Sequence, residues 1–202
     1  MDSAQASPPL YGLVLAGGGS RRMGRDKGAI RLGGEPQVIG AWRLLCGVCD
    51  PVYVSINAAQ RDIAPYADLP VIVDSGATHG PAAGLLAAWE RFADVAWLVL
   101  AVDLPRVGPR VLEPLIDARD SRCAATVLRH ADGTLEPLCT IWEPAARLAL
   151  ATEVAAGGNS LRRVLERSRI AVLDLVEPGV LASVNTPDQL AAFRAAHDRG
   201  RR

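Results

Sequence analysis

The stretch Tyr11–Gly28, YGLVLAGGGSRRMGRDKG, decides how the rest of the chain is read. It begins as a short apolar run, YGLVL, bounded by a turn signal, which predicts a fully buried β-strand over 11–15. Three consecutive glycines follow, then three arginines and a lysine, all within the fourteen residues Leu15–Gly28. Glycines let main-chain N–H groups close on an anion, and Arg and Lys neutralise charge that builds on phosphoryl groups as a bond breaks. Two familiar phosphate loops are excluded. Gly24 stands five after Gly19 but is followed by Arg25 and Asp26, which breaks the Walker pattern. Gly17 and Gly19 suit a dinucleotide fingerprint, but its third glycine position holds Arg22.

Outward from this stretch, short apolar runs alternate with segments of helical period. Strands are expected over 51–56, 71–73, 96–102, 124–129, 136–142 and 171–175. Helices are expected in EPQVIGAWRLLCGVC, GPAAGLLAAWERF, GPRVLEPLIDAR and NSLRRVLER. A last helix is expected over 187–198, with Thr186 as its cap and Pro187 in its first turn. ADGT at 131–134 reads as a hairpin turn. Such alternation of apolar strands with helices predicts a three-layer α/β sandwich on a mostly parallel sheet, with one antiparallel excursion. Ligands bind such sheets outside the carboxyl ends of their strands. If the first four strands are parallel neighbours, the glycine turn, Asn57, Asp74 and Asp103 line one edge.

A carboxylate at the mouth of a buried strand suits magnesium, which takes one or two carboxylates plus substrate phosphates. Asp103 is therefore read as a magnesium ligand, with helix capping ahead of PRVGPRVLEPL as the alternative. Asp74 either contacts a ligand or organises the loop before Pro81. His79, His130 and His197 stand apart, and no Ser–His–Asp or Cys–His arrangement assembles.

Bulk properties remove other classes. The 202 residues carry 22 Lys+Arg and 22 Asp+Glu, so nothing suggests a nucleic-acid partner. The apolar run 95–102 is too short to cross a bilayer, and the first nine residues do not read as a secretory signal. The expectation is a soluble, cytoplasmic protein with one domain over 10–198 and loose tails at 1–9 and 199–202. Cys46 and Cys49 form a C-x-x-C spacing, but at the end of a helical pattern rather than at its start, and without further ligands nearby. They read as two small apolar residues on a last turn.

With these residues in view, the chain resembles the molybdenum cofactor guanylyltransferases, a branch of the nucleotidyltransferases with a Rossmann-like α/β fold. The resemblance rests on LAGGGSRRMGRDKG (15–28), DSGATHGPAAG (74–84), VDLP (102–105), AGGNSLRRVL (156–165) and VNTPDQL (184–190). It implies transfer of GMP from GTP to molybdopterin, the pterin of the molybdenum cofactor, with release of pyrophosphate. By the same resemblance Leu15, Ala16, Gly17 and Gly18 hold the nucleotide, Gly18 being the guanine-selecting variant of the motif. Lys27 holds phosphates, Arg22 steadies pyrophosphate, Asp74 contacts the nucleotide and Asp103 binds Mg2+. Asn185 lies on the acceptor side. Asn57 matches a nucleotide contact, although the family's NAN is SIN here and its DTP is DLP, with Leu104 in place of threonine. A recipient molybdoenzyme or its chaperone is the further partner that such a product implies. Competing readings are a nucleotidyltransferase that uses CTP or a sugar phosphate, and a non-catalytic carrier of nucleotide or cofactor.

Overall fold

The computed structural model describes residues 6–17, 26–74, 76, 78–175, 177 and 179–199. Strand β1, Leu10–Leu15, is an interior strand of the main sheet. It pairs in parallel with β4 (Val52–Ile56) on one side and with β6 (Ala96–Ala101) on the other. Between β1 and β4 lie a small hairpin, β2 (Arg31–Leu32) with β3 (Glu35–Pro36), and helix α1 (Gln37–Cys46). Strand β5 (Val71–Val73) adds in parallel outside β4, and α2 (Pro81–Arg91) leads from it to β6. After α3 (Pro109–Asp117) come β7 (Ala125–Arg129) and β8 (Leu135–Trp142), joined by the ADGT turn. Helices α4 (Arg147–Ala155) and α5 (Leu161–Glu166), strand β9 (Ile170–Asp174) and helix α6 (Pro187–Arg199) complete the chain.

The seven-stranded order is β5-β4-β1-β6-β8-β7-β9. Only β8 runs against its neighbours β6 and β7, so the single antiparallel excursion expected from the sequence is present. Strand alternation shows that helices cover both faces. A Cβ on Gly12 would touch Leu45 of α1, whereas Leu15, three residues on and so on the opposite face, packs against Gly84 of α2. The three layers follow. On the α2 face Trp97 is fully buried and meets Tyr11 and Tyr53 edge-on, at ring-centroid distances of 5.7 and 6.1 Å.

Two elements escape the sequence pattern. The β2–β3 hairpin is too short to show a period; Gly33 and Gly34 turn it at φ of 60° and 98°. Helix α4 was missed because its apolar residues do not share a face: Leu150 is buried while Leu148 is 77% exposed. Residues 8 and 9, read as the end of a loose tail, are tied down. Pro9 O accepts from Ala96 N at 2.9 Å, which extends the pairing of β1 with β6 by one residue, and Pro8 O accepts from Arg119 Nη2 at 2.7 Å.

Cys46 ends α1 and is exposed, whereas Cys49, Cys123 and Cys139 are buried; all four are free thiols. Burial pushes the Cys49 thiol up to about 11. At pH 8 roughly one Cys49 in a thousand is then a thiolate. Alkylation of the folded protein at that pH, mapped by mass spectrometry, is expected to mark Cys46 well before Cys49. Equal labelling of the two would mean an open, reactive pair. A second expectation concerns Gly84. A Cβ there would lie 2.3 Å from Ser55 Oγ and 2.9 Å from Leu15 Cδ2, at the closest approach of α2 to the sheet. Gly84→Ala should lower stability by about 1–3 kcal/mol in urea unfolding, and an unchanged midpoint would show that α2 does not press on β1 and β4.

Candidate functional site

Four parallel strands, β5, β4, β1 and β6, end on one edge, and the polar residues expected there are present. Asp74 follows β5, Asn57 follows β4, Gly17 follows β1 and Asp103 follows β6. Gly18 and Arg22, to which the sequence assigns nucleotide and pyrophosphate contacts, lie outside the described residues.

The closest grouping joins three distant parts of the chain. Lys27 Nζ donates to Asp103 Oδ2 at 3.2 Å, and also to Asn185 Oδ1. The ammonium and the carboxylate are about one-fifth exposed. The other carboxylate oxygen, Asp103 Oδ1, is buried and accepts no hydrogen bond among the described residues. A buried acceptor without a donor is costly, so it marks Asp103 as a place for a ligand. Helix capping, the alternative for Asp103, is not its role: α3 begins after Gly108, five residues further on.

Asn185 is delivered by the start of α6. Gln189 N donates to Thr186 Oγ1 at 3.2 Å, while Gln189 Oε1 accepts from Thr186 N at 3.0 Å and Asn185 N at 2.7 Å. This is a reciprocal capping box, so the expected Thr186 cap is present and its geometry explains the spacing in NTPDQ. Val184 N donates to Asp103 O at 2.8 Å, which ties the approach to α6 directly to the end of β6. Asn185 Nδ2 donates to Ser183 Oγ at 2.6 Å and so orients the amide oxygen toward Lys27.

The other assigned residues differ in what they offer. Leu15 and Ala16 are buried, and their carbonyls accept from Val102 N and Gln60 Nε2. The N–H groups of Ala16 and Gly17 both donate to Ser55 O, at 3.0 and 2.9 Å. The first amides of the glycine turn therefore secure β1 to β4 instead of facing an anion. The approach is close at Gly17, where a Cβ would lie 3.3 Å from Asn57 N. Asn57 Oδ1 accepts from Ala59 N and caps a short 3-10 turn at Ala58–Gln60. Asp74 donates its N–H to Ile56 O at 3.0 Å. In AGGNSLRRVL, Ser160 caps α5 and Arg163 pairs with buried Glu153 at 2.8 Å, so this motif supports the fold.

Sequence reasoning missed a second polar group beside Lys27. Asp26 Oδ1 accepts from Tyr66 Oη at 2.7 Å and from Gly28 N at 2.9 Å, and Asp26 Oδ2 accepts from Gln60 Nε2 at 2.7 Å. Burial first, and then the bond to Asp26, push the Tyr66 phenol far above its ordinary range, so it remains a donor. Only the Asp-x-Gly turn was visible locally; Gln60 and Tyr66 come from 34 and 40 residues away. Lys27 O in turn accepts from Ile30 N at 3.1 Å and Gln37 Nε2 at 3.4 Å.

Residues 12–172 match the family model of a MobA-like NTP transferase domain. The chain is 34% identical over 188 residues to a molybdenum cofactor guanylyltransferase from Pseudomonas putida, covering 92% of this chain and 97% of that protein. It is 35% identical over 192 residues to the protein of that name from Pseudomonas aeruginosa PAO1, with 94% and 96% covered. Against a molybdenum cofactor biosynthesis bifunctional protein from Synechocystis the identity is 36% over 184 residues, and the match takes in 89% of this chain but 52% of that longer protein. Among solved structures, molybdopterin-guanine dinucleotide biosynthesis protein A from Archaeoglobus fulgidus has the same fold. Its TM-score is 0.79 at 23% identity, with 94% of this chain and 99% of that one covered. On the family match and these identities, the chain belongs to the MobA-like NTP transferase domain family.

Proposed function

We propose that this protein is a molybdenum cofactor guanylyltransferase, which transfers GMP from GTP to molybdopterin and releases pyrophosphate. The observation that carries this reading is the meeting of Lys27, Asp103 and Asn185 at the carboxyl edge, beside the glycine turn. The names and coverage of the Pseudomonas relatives support the same activity.

The chemistry suits the residues. An oxygen of the molybdopterin phosphate attacks the α-phosphorus of GTP, a new P–O bond forms, and the bond to the bridging oxygen of the β-phosphate breaks. A phosphate monoester is already anionic at neutral pH, so no general base is needed, in keeping with the scattered histidines. The protein's task is positioning and charge neutralisation. Lys27 would hold phosphate oxygens, Asp74 and the glycine turn the nucleoside end, and Asn185 the acceptor side. Arg22 would steady the departing pyrophosphate.

Asp103 fits a magnesium ion in donor type and in its bare, buried oxygen. Among the described residues no group of three or more His, Cys, Asp or Glu could form an all-protein metal cage. One carboxylate plus substrate phosphates is the usual magnesium arrangement, so Asp103 would hold the ion together with GTP. When bound, Mg2+ supplies charge neutralisation and alignment of the triphosphate. The setting of this reaction is proposed to be the cytoplasm, where GTP is available and free thiols persist. Among the described residues no helix is long and apolar enough to cross a membrane. Passage of the product to a recipient molybdoenzyme or its chaperone would complete the route.

The test is purified protein with molybdopterin, Mg2+ and GTP, CTP or ATP in turn, read by pyrophosphate release and product mass. GTP is expected to give the guanine dinucleotide; preferential use of CTP would overturn the base assignment, and nucleotide binding without pyrophosphate would indicate a carrier. Asp103→Ala should retain the thermal midpoint within a few degrees while turnover falls about a hundredfold or more. Near-normal turnover in that variant would remove Asp103 from metal binding.

A further inference from the structure

Ala16 and Asp26 stand on the two sides of the glycine- and arginine-rich stretch in the sequence, and one side chain bonds both. Gln60 Nε2 donates to Ala16 O at 3.2 Å and to Asp26 Oδ2 at 2.7 Å. Gln60 is itself fixed, because its Oε1 accepts from Asn57 N at 3.0 Å and its Nε2 also reaches Tyr66 Oη at 3.1 Å. Tyr66 and Gln60 are 1% and 6% exposed. Asp26 accepts three hydrogen bonds in all, one of them from Gly28 N immediately beyond Lys27. Gly28 makes the grouping possible: a Cβ there would lie 2.3 Å from Tyr66 Oη, in the space the phenol needs to reach Asp26.

We propose that Asp26 is the positioning residue for Lys27. Clamped by Tyr66 and Gln60 and bonded to Gly28 N, it fixes the main chain at Lys27 and sets the direction from which Lys27 crosses to Asp103 and Asn185. The proposal deepens the guanylyltransferase reading and rests on the role given there to Lys27. Geometry distinguishes this from simple support of the fold. A carboxylate with three donors on fixed bearings defines a position more narrowly than an apolar contact of equal stability would. The Lys27–Gly28 peptide is held at both of its polar groups as well, by Asp26 on Gly28 N and by Ile30 N and Gln37 Nε2 on Lys27 O. A lysine carried on such a frame arrives at its phosphate with little freedom left to lose, and displacement of a positioned group by about 1 Å can cost a hundredfold in rate.

A kinetic cycle tests this, with pyrophosphate release measured for wild type, Asp26→Ala, Lys27→Ala and the double variant, and with Tyr66→Phe and Tyr66→Phe/Lys27→Ala beside them. Asp26→Ala is expected to lower kcat/KM for GTP by about tenfold to a hundredfold. Tyr66→Phe, which deletes one hydroxyl, should lower it by a smaller factor. Once Lys27 is removed, neither change should slow the enzyme further, because a positioning residue has nothing left to position. The proposal is overturned if Asp26→Ala stays within twofold of wild type, or if its loss multiplies in full with that of Lys27→Ala, as a general structural defect would. Should Asp26→Ala fail to fold, the Tyr66 pair completes the same cycle with the same two outcomes. Wild-type turnover in Lys27→Ala would overturn the reading of Lys27 itself, a failure distinct from a Lys27-dependent enzyme in which Asp26 is silent.

Discussion

Parallel pairing of β5, β4, β1 and β6 is the constraint on which the rest depends. Each parallel neighbour must be reached by a crossover that returns the chain to the same starting edge. Every strand then leaves from the opposite edge, and residues far apart in sequence arrive there together. Asp74, Asn57, Gly17 and Asp103 owe their arrival at one edge to this rule. Because the strands are buried on both faces, their side chains are nearly all apolar, and the first polar residue after each strand falls at the edge.

That edge is completed from outside the parallel set. Lys27 comes from the segment after β1, and Asn185 from the start of α6, more than 150 residues later. The capping box at Thr186 and Gln189 determines where α6 begins, and the bond from Val184 N to Asp103 O determines where it is attached. Local helix chemistry and sheet topology thus converge on one ammonium group. The short motif NTPDQ carries both requirements: an amide for the site, followed by the cap that places it.

How much of this was legible in the sequence depends on whether a feature is local. The strand ends were readable because an apolar run followed by Asp or Asn is a pattern within ten residues, and the α6 cap because Thr and Pro stand next to each other at a helix start. Asp103 and Lys27 could be named singly, since their residue types suit phosphate and metal chemistry. Their direct pairing could not, because it depends on the path of the segment between β1 and β2. The Asp26–Gln60–Tyr66 group was illegible for the same reason. Gln60 looks like an ordinary surface residue until the 3-10 turn after Asn57 turns it inward, where it is buried. The commitment of the Ala16 and Gly17 amides to Ser55 O was also hidden, because a glycine run signals available N–H groups without saying which are already spent on the sheet.

Two ion pairs at opposite edges show how burial separates holding from exchange. At the amino edge Glu143 is fully buried, and both of its oxygens accept from Arg119, at 2.6 and 3.0 Å; Arg119 also donates to Pro8 O. Removing one partner from such a pair strands the other charge and costs about 3–5 kcal/mol, so it locks β8, the end of α3 and the approach to β1. At the carboxyl edge Lys27 and Asp103 are partly exposed and share a single contact of 3.2 Å. One longer contact between partly exposed groups binds less firmly than two short ones to a fully buried carboxylate. The fold therefore keeps its firmer electrostatic bond at the amino edge, and at the carboxyl edge the proposed role of Asp26 is to supply rigidity to Lys27.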